Sequence, residues 1–289
     1  MSKTKFITLG TAGGPTPKPY RMPPAHAIAY ESGVILVDCG EGAFQQLRRA
    51  GFDLKQVREL FITHHHFDHI GSLFACLGLN MMMHRHQPMN IYGPQGTSKI
   101  LDHLIAACDI PQATGFGVPG QTLPHPRDFI VSHDIQPGDV LDIDEIRISC
   151  CENTHYRPEG QFGQKGPISL SYRFDAPDRS MVFTGDTGPC LALEEFAKNV
   201  DLLVGEIFDT ELVINRLRAT NPDMSDHALL QMRQHFNEHH LTPEDLGQLA
   251  SRAGVKKVVA VHILSLQKIM RKMQNMLVEF LSLIHISEP

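Results

Sequence analysis

The segment Thr63-His64-His65-His66-Phe67-Asp68-His69 constrains this chain more than any other. An apolar triplet, Leu60-Phe61-Ile62, feeds it, and Ile70-Gly71 follows. Side chains two apart on an extended strand end share a face, so His64 and His66 can grip one metal ion. The chain then turns, and Asp68 and His69 can face a second ion beside the first. Neutral imidazole is the commonest metal ligand, and a metal accounts for this crowding of polar groups behind a buried strand. A histidine-rich surface turn is the competing reading, and the apolar strand in front argues against it. Histidine is also abundant overall, at 17 residues.

One segment cannot complete two sites, so partners are expected at other strand ends. His155 follows a strand-like stretch at 145–150. Asp186 sits in Gly185-Asp186-Thr187 after a strand-like 181–184, where Gly185 allows close backbone approach. His262 ends Val258-Val259-Ala260-Val261. Each alone reads as a satisfied core residue or a cap. In this order behind the first motif they read as ligands.

Periodicity places further strands at 6–9, 27–30, 34–37, 90–92, 129–132, 168–174 and 202–205. Helices are expected at 43–50, 72–79, 97–108, 226–236, 243–253 and 266–280, with Thr242 as an N-cap. The Pro- and Gly-rich stretch 110–128 reads as a long surface loop with the character of a lid. The pattern is that of a layered α/β protein with helices outside two sheets. A length of 289 residues, 42% hydrophobic and 20% charged, fits one large domain or two small ones. No apolar run is long enough for a membrane span, and the N-terminus lacks the apolar core of a secretory signal. Six cysteines without a CxxC read as free thiols in a reducing cytoplasm. A net charge of −6 argues against a nucleic-acid-coating protein.

The order of these residues resembles the metallo-β-lactamase-fold hydrolases, over nearly the whole chain to about residue 280. Leu9-Gly10-Thr11-Ala12-Gly13-Gly14-Pro15 with Arg21, and Asp38-Cys39-Gly40-Glu41-Gly42, are similar to the branch containing ribonuclease Z and arylsulfatase-like hydrolases. So are Gly185-Asp186-Thr187, Glu206 after a strand, and His240-Leu241-Thr242. The resemblance implies a four-layer αββα sandwich over residues 1–280 and two divalent ions, zinc by default, with manganese or iron as alternatives. It implies His64, His66 and His155 on the first ion, Asp68, His69 and His262 on the second, and Asp186 bridging both. Ions about 3.5–4 Å apart can hold a bridging hydroxide, which would attack the ester. Asp68 is expected to orient that hydroxide, and His240 to protonate the leaving group or bind a phosphoryl oxygen. His227 is expected to line the substrate site, and Glu206 to support a ligand histidine from behind.

Residues 281–289 resemble a translated sequencing adapter and are set apart from the domain, so the closing C-terminal strand is expected to be missing. The implied activity is hydrolysis of a small phosphodiester or related sulfate ester. A ribonuclease Z-type transfer-RNA 3′ endonuclease is the runner-up. Such enzymes usually carry a protruding arm between the third histidine and the bridging aspartate. Here that interval leaves room only for residues 157–166, whose basic residues are Arg157 and Lys165. Nucleic acid is therefore the less favoured partner; an arm-less enzyme acting as a homodimer stays open. A lactonase or β-lactamase would use the same metals. A non-catalytic binding module is disfavoured by intact ligand types at every expected position.

Overall fold

The computed structural model describes residues 4–14 and 16–263 and the backbone of 284–285. The chain divides into two compact units, residues 1–136 and 137–288.

The first unit is built on a six-stranded sheet in the order β1-β2-β3-β4-β5-β6. Its elements run β1 (Lys5–Gly10), β2 (Ala25–Tyr30), β3 (Gly33–Val37), α1 (Ala43–Arg49), β4 (Val57–Phe61), α2 (Phe67–Ile70), α3 (Leu73–Met82), β5 (Met89–Gly93), α4 (Thr97–Ala107), α5 (Asp109–Thr114) and β6 (Ile130–Asp134). The β1–β2–β3 meander is antiparallel, and β3 through β6 are parallel. Parallel neighbours need crossover connections, which the helices supply. Val34, Leu36, Leu60 and Ile91 of the sheet pack with Phe44 and Leu47 of α1, Leu73 and Leu77 of α3, and Leu101 of α4. Asp134, at the end of β6, accepts the Gly96 and Ser98 N–H groups at 3.0 and 2.8 Å and so closes the N-terminus of α4.

The stretch expected as one long loop is more ordered than its composition implied. It begins with α5 and ends in a 3₁₀ turn, Pro126–Asp128. His125 accepts from Arg127 at Nδ1, so its Nε2–H donates to Asp109, 2.8 Å away. Arg127 also pairs with Asp109 at 3.0 Å. These bonds staple the two ends of the segment together.

The second unit carries a seven-stranded sheet in the order β13-β12-β11-β10-β9-β8-β7. Its elements are β7 (Val140–Ile143), β8 (Ile146–Glu152), β9 (Leu170–Ala176), β10 (Arg179–Phe183), α6 (Leu191–Phe196), β11 (Leu202–Glu206), α7 (Thr210–Thr220), α8 (Asp226–His239), α9 (Pro243–Ala253), β12 (Val258–Val261) and β13 (Ile284–His285). Strands β7 to β10 are antiparallel, and β10 to β13 are parallel. Leu193 of α6 and Leu246 and Leu249 of α9 pack on Val182, Leu203, Val258 and Ala260. Helix α9 has the expected start: Thr242 accepts from the Asp245 N–H, Asp245 accepts from the Thr242 N–H, and Pro243 opens the first turn.

Several elements of the second unit escaped the sequence reading. β7 is an edge strand with no buried residue, so its pattern is weak. α6 is a single short helix, and α7 buries only Thr210 and Ile214. β13 pairs in parallel with β12 and lies within the segment set apart as a tail. The helix expected at 266–280 lies outside the described residues. Among the described residues no helix is long and apolar enough to cross a membrane.

Candidate metal centre

In the first unit, β4 delivers its chain directly into the histidine motif. His64 and His69 are buried, whereas His66 is exposed and Asp68 half-buried. The rings of His64 and His66 have centroids 4.8 Å apart, and those of His64 and His69 are 4.0 Å apart. The organiser of this cluster is Asp38, at the end of β3 and 3% exposed. Its carboxylate accepts the Thr63 N–H at 2.8 Å, the Thr63 hydroxyl at 2.9 Å, and the His69 Nδ1–H at 2.7 Å. That last bond leaves the ring lone pair of His69 on Nε2, the atom a metal would take.

The same carboxylate reaches His64 through Thr63. The Thr63 hydroxyl has one proton and gives it to Asp38, so toward His64 Nδ1, 3.0 Å away, its oxygen can only accept. His64 therefore also carries its proton on Nδ1 and its lone pair on Nε2. The loop after Asp38 clamps the motif from outside. Cys39 N–H donates to the His69 carbonyl at 2.7 Å, and Ser72 N–H donates to Cys39 at 2.9 Å. Gly40 is required there, because a Cβ would run into the Asp68 carbonyl and Pro23. His65, between the ligand-type residues of the motif, instead bonds Thr97 Oγ1 at 2.8 Å.

In the second unit, His155 follows β8. Its Nδ1–H donates to the His239 carbonyl at 3.2 Å, which again puts the lone pair on Nε2. Burial is the main influence on its pKa and pushes it down to about 4, so the ring is neutral, as a ligand must be. His239 returns the contact, bonding the Thr154 carbonyl through Nδ1 at 2.7 Å. Asp186 follows β10, and its Oδ2 lies 3.3 Å from His262 Nε2.

Glu206, at the end of β11 and 1% exposed, is the second unit's counterpart of Asp38. Its carboxylate accepts the Thr187 N–H at 2.6 Å and meets His240 Nδ1 at 2.9 Å and His262 Nδ1 at 3.4 Å. Burial would lower the pKa of His240, but the Glu206 carboxylate outweighs it and raises the group above the ordinary range. Burial alone would raise Glu206, and His240 beside it draws it below the usual carboxylate value. The His240 ring stacks on Phe208 at 4.4 Å. Asp186, Glu206 and His240 each bring a ligand-type atom within 4.8 Å of the others.

His227 is not brought to this cluster. It is exposed in the first turn of α8, about 18 Å along the axis from His239 at 1.5 Å per residue. Asp38 appeared in the sequence reading only as part of a family marker. The signal that singled out His155, Asp186 and His262, a lone polar residue after an apolar strand, applies equally to it. Thr63 and Phe208 carried no such signal.

The donor set in each unit is imidazole nitrogen and carboxylate oxygen, which suits a divalent ion of the zinc type. Residues 34–263, a span that takes in parts of both units, match the family described as a beta-lactamase superfamily domain. The chain belongs to the beta-lactamase superfamily. It is similar to the ribonuclease Z of Mycobacterium marinum, at 27% identity over 89% of this chain and 85% of the relative. It matches the ribonuclease Z of Ignicoccus hospitalis at 27% identity over 94% and 92% of the two chains. Among solved structures, the metallo-beta-lactamase fold protein YhfI from Bacillus subtilis superposes with a TM-score of 0.66 at 18% identity, covering 99% of this chain and 96% of that one. The short form of human tRNase Z gives 0.65 at 18% identity, with 98% and 96% covered. This superfamily member thus has the metallo-β-lactamase fold and is a metal-dependent hydrolase.

Proposed function

We propose that this chain hydrolyses phosphodiesters at a centre of two divalent ions, zinc first, with manganese or iron as alternatives. In this reading His64, His66 and His155 hold one ion, Asp68, His69 and His262 the other, and Asp186 both. Bound ions supply Lewis-acid charge at the ester being cleaved. The observation that carries the reading is the anchored imidazole of His240. Glu206 fixes its Nδ1 and Phe208 its face, so Nε2 is the atom presented for proton transfer. A ring held protonated above the ordinary range can deliver a proton to a departing alkoxide. Asp68 would accept a hydrogen bond from the attacking water and orient it. His227 would meet only a substrate that extends along α8.

A compact phosphodiester is the favoured substrate. The interval where an arm would be inserted is instead laced to its own unit. Arg157 donates to the Gln164 and Pro167 carbonyls and pairs with Glu152 at 3.3 Å. Glu159 accepts the Ala192 N–H at 2.6 Å. The names of the ribonuclease Z relatives favour a second reading, a transfer-RNA 3′ endonuclease. A reducing cytoplasm fits this reading, and the six cysteines, all free thiols, are consistent with it.

The test is metal-loaded protein offered bis(p-nitrophenyl) phosphate and, separately, a transfer-RNA precursor with a 3′ trailer. We expect turnover of the diester and little or no trailer release. Efficient, accurate trailer release would overturn the compact substrate and promote the second reading. No turnover of either would refute both.

A further inference from the structure

Phe67 stands between the ligand-type residues His66 and Asp68, yet it is 80% exposed. A single apolar residue on a surface needs no explanation by itself. Two observations set this one apart. The first is its seat. Phe67 opens the four-residue α2, and its ring folds back over Gly71, with Cε1 3.5 Å from where a Cβ on Gly71 would sit. The ring is thus held against backbone on one side while most of its surface stays open to solvent. The second is the approach. His64 and His69 are sealed at 0% and 2% exposure, whereas His66 is exposed and Asp68 half-buried. The solvent-accessible edge of this motif in the first unit is therefore the stretch His66–Asp68, in the middle of which Phe67 stands.

We propose that Phe67 is a stacking platform for a planar aromatic ring carried by the substrate ester, and so helps set which phosphoesters this chain accepts. The proposal rests on the phosphoester reading above. A phenyl face is sequence-tolerant: it takes a nucleobase or an aryl group by the same offset or edge contact. An alkyl or bare sugar phosphate offers it no planar ring to stack. The ring touches no reacting atom, so its effect belongs in substrate affinity and not in the proton transfers assigned to Asp68 and His240.

The chain contains no tryptophan, so Phe67→Trp installs a single fluorophore at the platform. The zinc-loaded variant is titrated with adenosine 5′-monophosphate, phenyl phosphate and ribose 5-phosphate. We expect saturable quenching by at least one ring-bearing ligand and none by ribose 5-phosphate. In parallel, equilibrium dialysis compares the wild-type protein with Phe67→Ala. The alanine variant should bind the ring-bearing ligand about 10-fold more weakly, the size typical of one base–aromatic stack, and ribose 5-phosphate equally well. Loss for adenosine monophosphate identifies a nucleobase, and loss for phenyl phosphate alone identifies an aryl ester. Equal binding of all three ligands by wild type and Phe67→Ala would overturn the platform while leaving the phosphoester reading intact. Failure of every phosphate ligand to bind the wild-type protein would refute that reading and the platform with it.

Discussion

Asp38→Asn isolates tautomer control from folding. In the wild-type chain one carboxylate oxygen accepts the Thr63 N–H, and the other faces the Thr63 hydroxyl and His69 Nδ1. Asparagine keeps the shape and, with its oxygen toward the Thr63 N–H, keeps that bond. Its NH2 group then faces His69 Nδ1, and two donors cannot share one contact. The proton of His69 is forced to Nε2, the atom meant for the metal. The Thr63 hydroxyl keeps an acceptor, because the oxygen that takes the Thr63 N–H also lies 3.0 Å from it, so the His64 tautomer should stay as it is. Loss of such a supporting partner typically costs 10–100-fold in metal affinity, or about 1.4–2.7 kcal/mol. Asp38→Ala is a different perturbation. It strands two buried donors, the Thr63 and His69 N–H groups, at about 1–3 kcal/mol each, a large share of a typical stability of about 5–15 kcal/mol. Competition titration with a zinc chelator, alongside urea unfolding of the metal-free protein, separates the two. Asp38→Asn should unfold close to wild type and bind zinc at least tenfold more weakly. Wild-type zinc affinity in a folded Asp38→Asn protein would refute the tautomer argument.

His240→Ala should retain its metal, measured by elemental analysis, and lose about 10²–10⁴-fold in turnover on diesters with poor leaving groups. Nitrophenyl esters, which leave without a proton, should lose far less; metal loss in the variant would make His240 a ligand or a structural residue. For Glu206→Gln, the sign follows from the raised pKa of His240. A raised folded pKa stabilises fully below the unfolded value near 6.5 and loses that contribution as pH rises through the folded value. Urea unfolding of the metal-free wild type should therefore show this increment at pH 6 and not at pH 9. Glu206→Gln should remove the pH-dependent increment, and an unchanged pH profile would show that Glu206 does not hold the His240 proton.

His155, Asp186 and His262 could be noticed because each follows an apolar strand as a lone polar side chain, and His64, His66, Asp68 and His69 because they crowd one short segment. The strands that deliver them were legible as well: Val57–Phe61, Arg179–Phe183 and Val258–Val261 are short buried runs that parallel or central strands require. What stayed hidden was of two kinds. β7, α6 and α7 bury too little apolar surface to leave a period in the sequence. The bonds that set each histidine's tautomer depend on partners far along the chain, such as Asp38 for His69 and the His239 carbonyl for His155. A backbone carbonyl leaves no trace in side-chain pattern at all.

Backbone conformation ties two of the polar strand ends to the contacts their side chains make. Asp38, Gly185 and His262 leave β3, β10 and β12 in the left-handed region, with φ of 60°, 61° and 57°. That conformation turns the chain sharply as the strand ends. Glycine accepts it without penalty, which is why Gly185 could be noticed from sequence. For Asp38 and His262 it costs about 1–2 kcal/mol each. The bonds those side chains make offset the cost. Asp38 holds Thr63 and His69, while His262 meets Glu206 and Asp186. A non-glycine residue in that conformation persists where its side chain is held from several sides, and both of these are. The strained turn and the fixed side chain therefore depend on each other. Relaxing Asp38 to an ordinary loop conformation would release the carboxylate that orients His69, and relaxing His262 would free its own ring from Glu206 and Asp186.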